Sequence, residues 1–194
     1  MASILDAAAI VFAEAGFEAA TMEGIAERGK TSIGSLYQFF PNKLAVFEAL
    51  AARSIERSRA AVDELLDEGE RPRTWRALVD ATIDRFASLR EADPDFRAML
   101  VNFQLYDVYA EADRALHRHT IERVAVMIRR YAPGLPPSQR RVVATLVVEM
   151  ISALLLQAQR EEAAFAKKLM EELKTLLYRY LSPYVDASST TARA

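Results

Sequence analysis

Apolar residues recur along most of the chain at three- and four-residue spacing, which puts them on one face of a helix. The first such stretch aligns Ile4, Ala8 and Phe12 and stops at Gly16, a residue suited to the positive φ that often follows a helix end. No long stretch shows the strict alternation of a half-buried strand. The pattern predicts an all-α fold of about nine helices.

The N-terminal helices are predicted to be short because capping residues and breaks follow one another closely. Thr21 stands at the N-cap of a second helix that ends near Arg28. Ser32 can cap a third helix, which Pro41 ends. The predicted core side of this third helix consists of Leu36, Phe39 and Phe40.

The remaining helices are longer. One is predicted from Lys43 to about Asp67 and, at 1.5 Å per residue, spans roughly 37 Å, enough to join two domains. A polar loop follows over residues 68–73. The other predicted helices cover approximately 75–92, 95–110, 114–131, 138–159 and 162–182. These elements give an N-terminal three-helix domain over 1–46, a larger C-terminal helical domain over 47–185 and a disordered tail over 186–194.

Composition narrows the function classes. The 194 residues include no cysteine, which excludes a disulfide, a thiolate metal site and a cysteine nucleophile. The N-terminus lacks a signal-peptide pattern, and the longest apolar run, 142–156, is too short to span a membrane and contains Glu149. We therefore expect a cytoplasmic protein with no membrane partner. Residues 1–50 hold three basic against six acidic side chains, so charge alone does not favour a nucleic-acid partner.

Residues Gly24–Thr31 have the sequence GIAERGKT and satisfy the pattern G-x-x-x-x-G-K-S/T of a phosphate-binding loop, so a nucleotide hydrolase is one alternative. Such a loop follows a strand and presents backbone N–H groups to phosphates at the start of a helix. Here no strand pattern precedes it, and Ile25–Arg28 continue the helix that Thr21 caps. The sequence favours a coincidental match, and no catalytic residue, metal or cofactor is predicted.

Two short helices joined by about four residues form the layout of a helix-turn-helix unit, whose second helix enters the DNA major groove. The stretch Ile4–Leu50 resembles the N-terminal domain of the TetR family of transcriptional regulators. Its most specific parts are T-x-x-x-I-A at Thr21–Ala26 and S-x-G-S-L-Y-x-F-F-x-N-K at Ser32–Lys43. The resemblance implies a domain that binds double-stranded operator DNA.

The matching positions also have chemical reasons to contact DNA. Gly34 and Ser35 are small enough for close approach, and the Ser35 hydroxyl can donate or accept a hydrogen bond. Gln38 suits N6 and N7 of adenine, Tyr37 a phosphate oxygen, and Ile33 a thymine methyl group. The alternative is that Tyr37 and Ile33 are core residues and that Lys43 is a solvated charge. The resemblance implies the same positions as contacts, and the predicted DNA-binding residues are Thr21, Lys30, Ser32, Ile33, Gly34, Ser35, Tyr37, Gln38 and Lys43.

Two features depart from the family pattern. The family usually has Ala-Gly before the turn, whereas this chain has Gly29 and Lys30, so a non-glycine residue falls where a positive φ is expected. Backbone strain at Lys30 is therefore predicted. The chain also opens MASILDAA, without the basic arm that usually precedes the first helix. We expect weaker operator binding than for an arm-bearing version, with a different salt dependence.

The resemblance implies that the C-terminal domain encloses a small-molecule effector. The apolar stripes in its helices are by themselves more typical of core than of a pocket. His117 and His119 point about 200° apart on a helix, so a shared metal ion is not expected. Large or polar-tipped side chains give the candidate ligand-binding residues Trp75, Phe103, Tyr106, His117, Met127 and Glu149.

The last two helices carry apolar stripes suited to a bundle, and the resemblance implies that they pair with their copies in a homodimer. A twofold dimer matches a palindromic operator because its two recognition helices meet equivalent half-sites. The candidate interface residues are Val147, Leu154, Leu169, Leu173, Leu176 and Tyr180.

These inferences favour a DNA-binding transcriptional regulator, a repressor that an effector releases from a palindromic operator. In the family mechanism the ligand shifts the helix beginning at Lys43 and changes the spacing of the two recognition helices, which requires different ligand affinities for the two spacings. A nucleotide hydrolase, or a helical adaptor with neither ligand nor DNA site, are the alternatives.

Overall fold

The computed structural model describes residues 2–67 and 74–191, and over these ranges the chain forms nine α-helices and one 3-10 turn. The all-α prediction is confirmed. The helices are α1 (Ala2–Ala19), α2 (Met22–Arg28), α3 (Ile33–Phe39), α4 (Lys43–Leu65), α5 (Trp75–Ala92), α6 (Pro94–Val101), α7 (Tyr106–Tyr131), α8 (Pro137–Ala158) and α9 (Ala163–Thr191), with the 3-10 turn at Phe103–Leu105. α1 is interrupted at Gly16, whose φ of 73° is the positive value that the sequence predicts there.

The described residues group into two compact units. The first unit lies within 1–60 and 92–116, and the second within 61–91 and 117–194. Helices α4 and α7 each contribute residues to both units. The packing boundary therefore differs from the sequence division at residues 46 and 47, because α6 and the start of α7 pack with the N-terminal helices. That division stays a prediction.

The apolar core of the first unit forms around aromatic rings. The rings of Phe12 and Phe47 meet edge to face with centroids 5.4 Å apart, and Phe17 completes the group against both. Ile25 from α2 and Leu36 from α3 are fully buried in the same cluster. Helix α2 is held by three buried side chains, those of Met22, Ile25 and Ala26, whereas α3 buries only Leu36, which leaves most of α3 outside the core.

The buried carboxylate of Asp95 fixes α6 within the first unit. Asp95 is fully buried and accepts hydrogen bonds from Arg53 Nε and Nη2 at 2.8 and 2.6 Å. Arg53 also donates to Asp6 of α1 at 2.7 Å, and Arg57 donates to Asp95 at 3.1 Å. Burial lowers the pKa of the Arg53 guanidinium. Its hydrogen bonds to Asp95 and Asp6, together with the negative charges of these two carboxylates, have the larger effect and raise the pKa above its ordinary value. The guanidinium stays charged and joins α1, α4 and α6.

The second unit is built on an apolar cluster between α5, α7, α8 and α9, with Leu173 and Leu177 of α9 almost completely buried. Polar contacts lie at its edge. Lys174 pairs with Asp84 of α5 at 2.7 Å, and the Tyr178 hydroxyl donates a hydrogen bond to Asp80. Burial, followed by this hydrogen bond and the charge of Asp80, raises the pKa of Tyr178 to about 12, so the hydroxyl remains a donor at neutral pH.

Helix α8 has, among the described residues, the length and mean hydropathy (1.7 over its most apolar window) of a membrane span, and 33% of that window is buried. The core helix of a soluble protein has the same properties. Val143, Ala144 and Leu155 of α8 are indeed buried in the apolar cluster of the second unit. The helix therefore has an inward face that packs in the cluster and an outer face that exposes apolar side chains such as Val142 and Leu146.

Two predicted segments differ from the structure. The single helix expected over 95–110 is divided between α6 and α7, because Asn102 leaves the helical conformation and bonds to α1. The tail expected to be disordered from residue 186 continues α9 to Thr191, and Asp186 accepts hydrogen bonds from Trp75 Nε1 at 3.1 Å and Ser182 at 2.6 Å. Residues 192–194 and the predicted loop over 68–73 lie outside the described residues.

Candidate nucleic-acid interface

Short-range capping builds the helix-turn-helix. Thr21 Oγ1 accepts a hydrogen bond from the Gly24 N–H at 3.0 Å, so Thr21 is the N-cap of α2 as predicted. Ser32 Oγ accepts from the Ser35 N–H at 3.0 Å and caps α3 in the same way. Each cap satisfies an otherwise unbonded N–H and fixes where its helix begins.

Lys30 occupies the turn between α2 and α3 with a φ of 49°, the only positive φ at a non-glycine residue in the described chain. Gly29, in contrast, has a φ of −81° that any residue adopts. The predicted strain at Lys30 is confirmed, because a side chain in this region clashes with its own backbone. The turn keeps this geometry because the Lys30 and Thr31 N–H groups donate to the carbonyls of Glu27 and Ala26 at 3.1 and 3.0 Å.

These hydrogen bonds also argue against a phosphate-binding loop. In such a loop the backbone N–H groups point at the nucleotide. Here the N–H groups of Gly29, Lys30 and Thr31 are bonded to carbonyls of α2, and most of the GIAERGKT pattern is helical. The match to the phosphate-loop pattern is a coincidence of turn residues.

The outward surface of α3 carries the predicted base-contacting residues. Gly34 and Gln38 are exposed, Ser35 is half-buried, and Ile33 and Tyr37 are 38% and 50% exposed, so the alternative in which the last two are core residues is wrong. Phe39, predicted to lie in the core, is 53% exposed. Leu36 of α3 and the C-cap residue Phe40 occupy the inward side, and Phe39, which directly precedes Phe40, points away from the core.

The hydroxyl of Ser35 is oriented by its neighbour. Ser32 Oγ donates to Ser35 Oγ at 2.8 Å, so Ser35 Oγ acts as the acceptor in that bond and its own proton is free to be donated elsewhere. A Cβ added at Gly34 would meet only Ser32 Oγ, at 4.0 Å, so the fold does not itself require glycine there. These observations give α3 a small, neutral, hydrogen-bonding surface.

Few positive charges accompany that surface. Arg28 faces Glu14 at 3.7 Å, and Lys43 Nζ donates to the carbonyls of Phe17 and Glu18 at 2.6 and 3.1 Å. Lys43 also lies over the Phe17 ring, 4.6 Å from its centroid. Of the basic residues in the described part of 1–50, only Lys30 is exposed without an ion pair or a side-chain hydrogen bond. Lys43 therefore has an internal role that the sequence did not reveal.

The candidate ligand-binding residues are distributed over both units. Phe103 and Tyr106 belong to the first unit, where the Tyr106 hydroxyl donates to Asp113 at 3.1 Å. In the second unit only His117 and Glu149 are brought into contact, with Nε2 and Oε1 2.9 Å apart.

The other two candidates in the second unit have packing partners of their own. Met127 is buried in a small cluster with Val62, Leu66 and Leu78. Trp75 packs edge to face on Tyr178, with ring centroids 5.9 Å apart. His119 contacts Asp63 at 2.8 Å, so the two histidines have separate carboxylate partners.

The candidate interface residues separate into two groups. Val147 and Leu173 are 7% and 1% exposed and lie inside the second unit's own cluster, so they offer almost no surface to a partner and that part of the prediction is corrected. The remaining four candidates are half-buried or exposed. They are Leu154, Leu169, Leu176 and Tyr180.

Together the two capped helices and the exposed neutral face of α3 define a helix-turn-helix DNA-binding protein. Sequence comparison agrees with this class. A model described as "Bacterial regulatory proteins, tetR family" matches residues 4–50, and one described as "Tetracyclin repressor-like, C-terminal domain" matches residues 74–181. The second match alone covers more than half of the chain, which therefore belongs to the TetR family of transcriptional regulators. Members of this family are DNA-binding regulators rather than enzymes.

Three individual proteins show how far the similarity extends along the chain. The HTH-type transcriptional repressor KstR from Mycolicibacterium smegmatis is 35% identical over 69 residues, which is 36% of this chain and 34% of KstR, so the match spans about a third of that relative. A TetR-family transcriptional regulator from Streptomyces coelicolor is 31% identical, with a TM-score of 0.61 over 94% of this chain and 98% of that chain. The structure of a SmeT–triclosan complex shares the fold at 24% identity, with a TM-score of 0.68 over 95% and 90% of the two chains.

Proposed function

We propose that this protein is a repressor that binds a palindromic operator as a homodimer and leaves it when a small-molecule effector binds. The observation that carries the proposal is the exposed, uncharged face of α3, which two side-chain caps hold beside the core of the first unit. Small size at Gly34, a free donor on Ser35 and an amide on Gln38 suit contacts with base edges in the major groove. The repressor KstR is 35% identical to this chain over 69 residues.

Gly34→Ala tests the DNA contact directly. Because the added methyl group has room within the fold, we expect the folded protein to be unchanged or more stable by about 0.5–1 kcal/mol, since alanine favours a helix over glycine. Close approach to DNA leaves no such room, so operator affinity should fall at least tenfold. Fluorescence anisotropy with a DNA fragment from upstream of the gene measures the affinity, and thermal melting measures the stability.

Gln38→Ala supplies a second test with a matched control. Loss of one bidentate base contact costs about 1–3 kcal/mol, or roughly 5- to 150-fold in affinity. Gln104→Ala removes an equally exposed amide from the 3-10 turn and should leave DNA binding unchanged. If neither Gly34→Ala nor Gln38→Ala weakens binding, α3 is not the recognition helix. If the intact chain binds no upstream DNA at low salt, even with a basic N-terminal arm added, the operator proposal fails.

Lys30 is the phosphate contact in this proposal because it is the exposed cation nearest in sequence to α3. Neutralising one phosphate-contacting lysine lowers the slope of log affinity against log salt by about 1. We expect this change for Lys30→Gln and a smaller one for Lys43→Gln, whose ammonium is bonded to carbonyls. Titrations at several salt concentrations compare the two, and the reverse order would contradict the assignment.

The homodimer proposal rests on the outer faces of α8 and α9. Val142, Leu146 and Phe165 are 58%, 44% and 54% exposed, although each lies on a helix of the apolar cluster. Leu176, 44% exposed, continues this surface on α9. A second copy of the chain would cover these side chains. We therefore assign the outer face of α8 to the dimer interface. The proposed interface consists of Val142, Leu146, Leu154, Phe165, Leu169, Leu176 and Tyr180.

Leu146→Glu should convert the dimer into a monomer of 21.7 kDa, because it places a carboxylate in the centre of the proposed interface. Sedimentation equilibrium measures the mass. Val108→Glu, at a residue of similar exposure on α7, is the control and should leave the dimer intact. If the unmodified protein is a monomer, the proposed interface is wrong. If Leu146→Glu and Val108→Glu both abolish the dimer, the interface is not located on α8 and α9 as proposed.

The ligand-responsive part of the proposal is supported by the shared fold of SmeT, whose structure holds triclosan. In this chain the contact between His117 and Glu149 provides a polar group on α7 and α8 that a ligand can engage. A compound screen that monitors release of labelled operator identifies effectors, and Glu149→Gln should change the half-maximal concentration of the active ones. A reporter gene behind the operator should become more active when this protein is removed, whereas lower activity would indicate an activator.

A further inference from the structure

Positive charge is concentrated at the turn between α7 and α8. Residues 123–148 contain five arginines, out of 25 basic residues in the chain, and none of its 27 acidic residues. The formal net charge of the whole chain is −2, so this local excess stands against an acidic background. The arginines are Arg123, which pairs with Asp63 at 3.1 Å, and Arg129, Arg130, Arg140 and Arg141.

A shallow hollow of about 200 Å³ lies within this charged region. Arg129 of α7 and Arg140 of α8 line it together with three apolar residues. Val126 is 49% exposed, whereas the next two residues of α7, Met127 and Ile128, are buried. The apolar part of the lining is Ala125, Val126 and Pro137.

The two arginines are available to a ligand in different ways. Arg140 Nη2 donates to the Leu135 carbonyl at 2.7 Å, which holds the guanidinium in place, while its Nε is buried and has no hydrogen-bond partner among the described residues. Arg129 is exposed, and no carboxylate of the described chain pairs with it. Arg140 lies in the first turn of α8, where the helix dipole adds partial positive charge.

We propose that this hollow binds a small amphiphilic oxyanion, a phosphate or carboxylate that carries a short alkyl group. Guanidinium groups bind both oxyanions through paired, charge-assisted hydrogen bonds. The apolar lining accommodates the alkyl part by removing it from water. The concave shape and small volume suit a small molecule better than a flat polyanion such as DNA or a membrane surface. The proposal does not depend on the operator proposal, because binding is measured without DNA.

Isothermal titration calorimetry of the full chain with hexyl phosphate tests the proposal, and inorganic phosphate, hexanoate and hexanol serve as comparison ligands. We expect saturable binding of hexyl phosphate, weaker binding of inorganic phosphate and none of hexanol. Comparison with hexanoate distinguishes a phosphate from a carboxylate ligand. Removing one charged hydrogen-bond donor costs about 1.5–3 kcal/mol, so Arg129→Gln should weaken hexyl phosphate binding roughly 10- to 150-fold.

Matched variants locate the site. Arg130→Gln removes the same charge from the adjacent exposed residue, which does not line the hollow, and should change the affinity less than twofold. Val126→Glu places a carboxylate in the hollow without touching the core and should abolish binding. Circular dichroism melting checks that each variant is folded. Arg140 is left unchanged because its hydrogen bond to the Leu135 carbonyl supports the turn between α7 and α8.

Three results would overturn the proposal. Equal losses in Arg129→Gln and Arg130→Gln would mean diffuse attraction to the charged region rather than a site. Binding of duplex DNA or of anionic vesicles that depends on Arg129, with no binding of hexyl phosphate or hexanoate, would assign the region to a macromolecular polyanion. If neither hexyl phosphate nor hexanoate binds saturably, the hollow is not a site for amphiphilic oxyanions.

Discussion

The two units differ in what their interiors contain. The three buried polar residues found in the described part of the chain, Ser54, Asp95 and Asn102, all belong to the first unit. In the second unit the buried cluster is apolar, and ion pairs such as that of Lys174 with Asp84 lie at its edge. Apolar packing therefore holds both units, and the first unit adds the hydrogen bonds of buried polar side chains to that packing.

This difference affects how readily the interior of each unit can rearrange. A buried hydrogen bond is satisfied in one geometry and costs free energy when it is distorted, whereas an apolar cluster can repack at lower cost. The first unit presents α3, whose position must be constant for sequence recognition. The second unit carries the proposed ligand response and interface, which need alternative arrangements of similar free energy. Four substitutions test this contrast.

Asp95→Ala should have the largest effect. It leaves Arg53 and Arg57 without their central carboxylate, and breaking a buried ion pair from one side costs about 4 kcal/mol. Urea unfolding measures the loss. Asp6→Ala removes the exposed partner of the same arginine and should cost less than about 1 kcal/mol. Equal costs would mean that burial of Asp95 does not distinguish the first unit.

Leu177→Ala probes the apolar interior of the second unit. The side chain is fully buried, and the cavity left by such a change costs about 3 kcal/mol, less if the neighbours repack. Val126→Ala, at a half-exposed position of the same unit, should change the free energy of unfolding by no more than about 0.5 kcal/mol. A cost for Leu177→Ala above that for Asp95→Ala would reverse the proposed contrast.

Asn102→Ala tests the second polar anchor of the first unit. Its amide donates to the Phe12 carbonyl at 3.0 Å and accepts from the Phe17 N–H at 2.5 Å, and leaving these buried groups unbonded costs about 2 kcal/mol. Amide hydrogen exchange should also speed up at Phe17. The exposed Gln104→Ala serves as the control and should stay within about 0.5 kcal/mol of the parent.

Lys30→Gly should have the smallest effect and the opposite sign. Glycine adopts the φ of 49° without a clash, so we expect stabilisation by about 0.5–1 kcal/mol in thermal or urea unfolding. Lys30→Asn should give an intermediate gain, because asparagine tolerates this region better than lysine. A loss of stability in the glycine variant would mean that the lysine side chain makes a contact that outweighs the strain.

The sequence predicted the features that depend on neighbouring residues. The caps at Thr21 and Ser32 and the positive φ at Gly16 follow from chemistry within a few residues, and the structure agrees. The positive φ at Lys30 was predicted from the departure from the family pattern, and the structure agrees there too. The DNA contacts themselves stay predictions. Their exposure on α3 was anticipated for Gln38 and Tyr37 because the inward face of so short a helix is narrow.

Features that depend on distant residues were not predictable. Asn102 divides the expected helix over 95–110 by donating to the Phe12 carbonyl, 90 positions earlier, and accepting from the Phe17 N–H, 85 positions earlier, and no local signal marks these contacts. Periodicity identified the apolar stripes of α8 and α9 but did not separate core from outer face, so Val147 and Leu173 were assigned to the interface. Phe39 was assigned to the core for the same reason, since an aromatic residue beside another one gives no directional information.

Lys43 has a consequence for chemical reactivity. The amine of a lysine attacks an acylating reagent with its lone pair, and the Lys43 side-chain nitrogen is held by two carbonyls at the end of α1 and by the face of the Phe17 ring. The amine must lose these partners before it can react. In the folded protein Lys43 should therefore be modified last among the lysines of the N-terminal helices, well after the exposed Lys30, and its acylation should report the opening of the junction between α1 and α4.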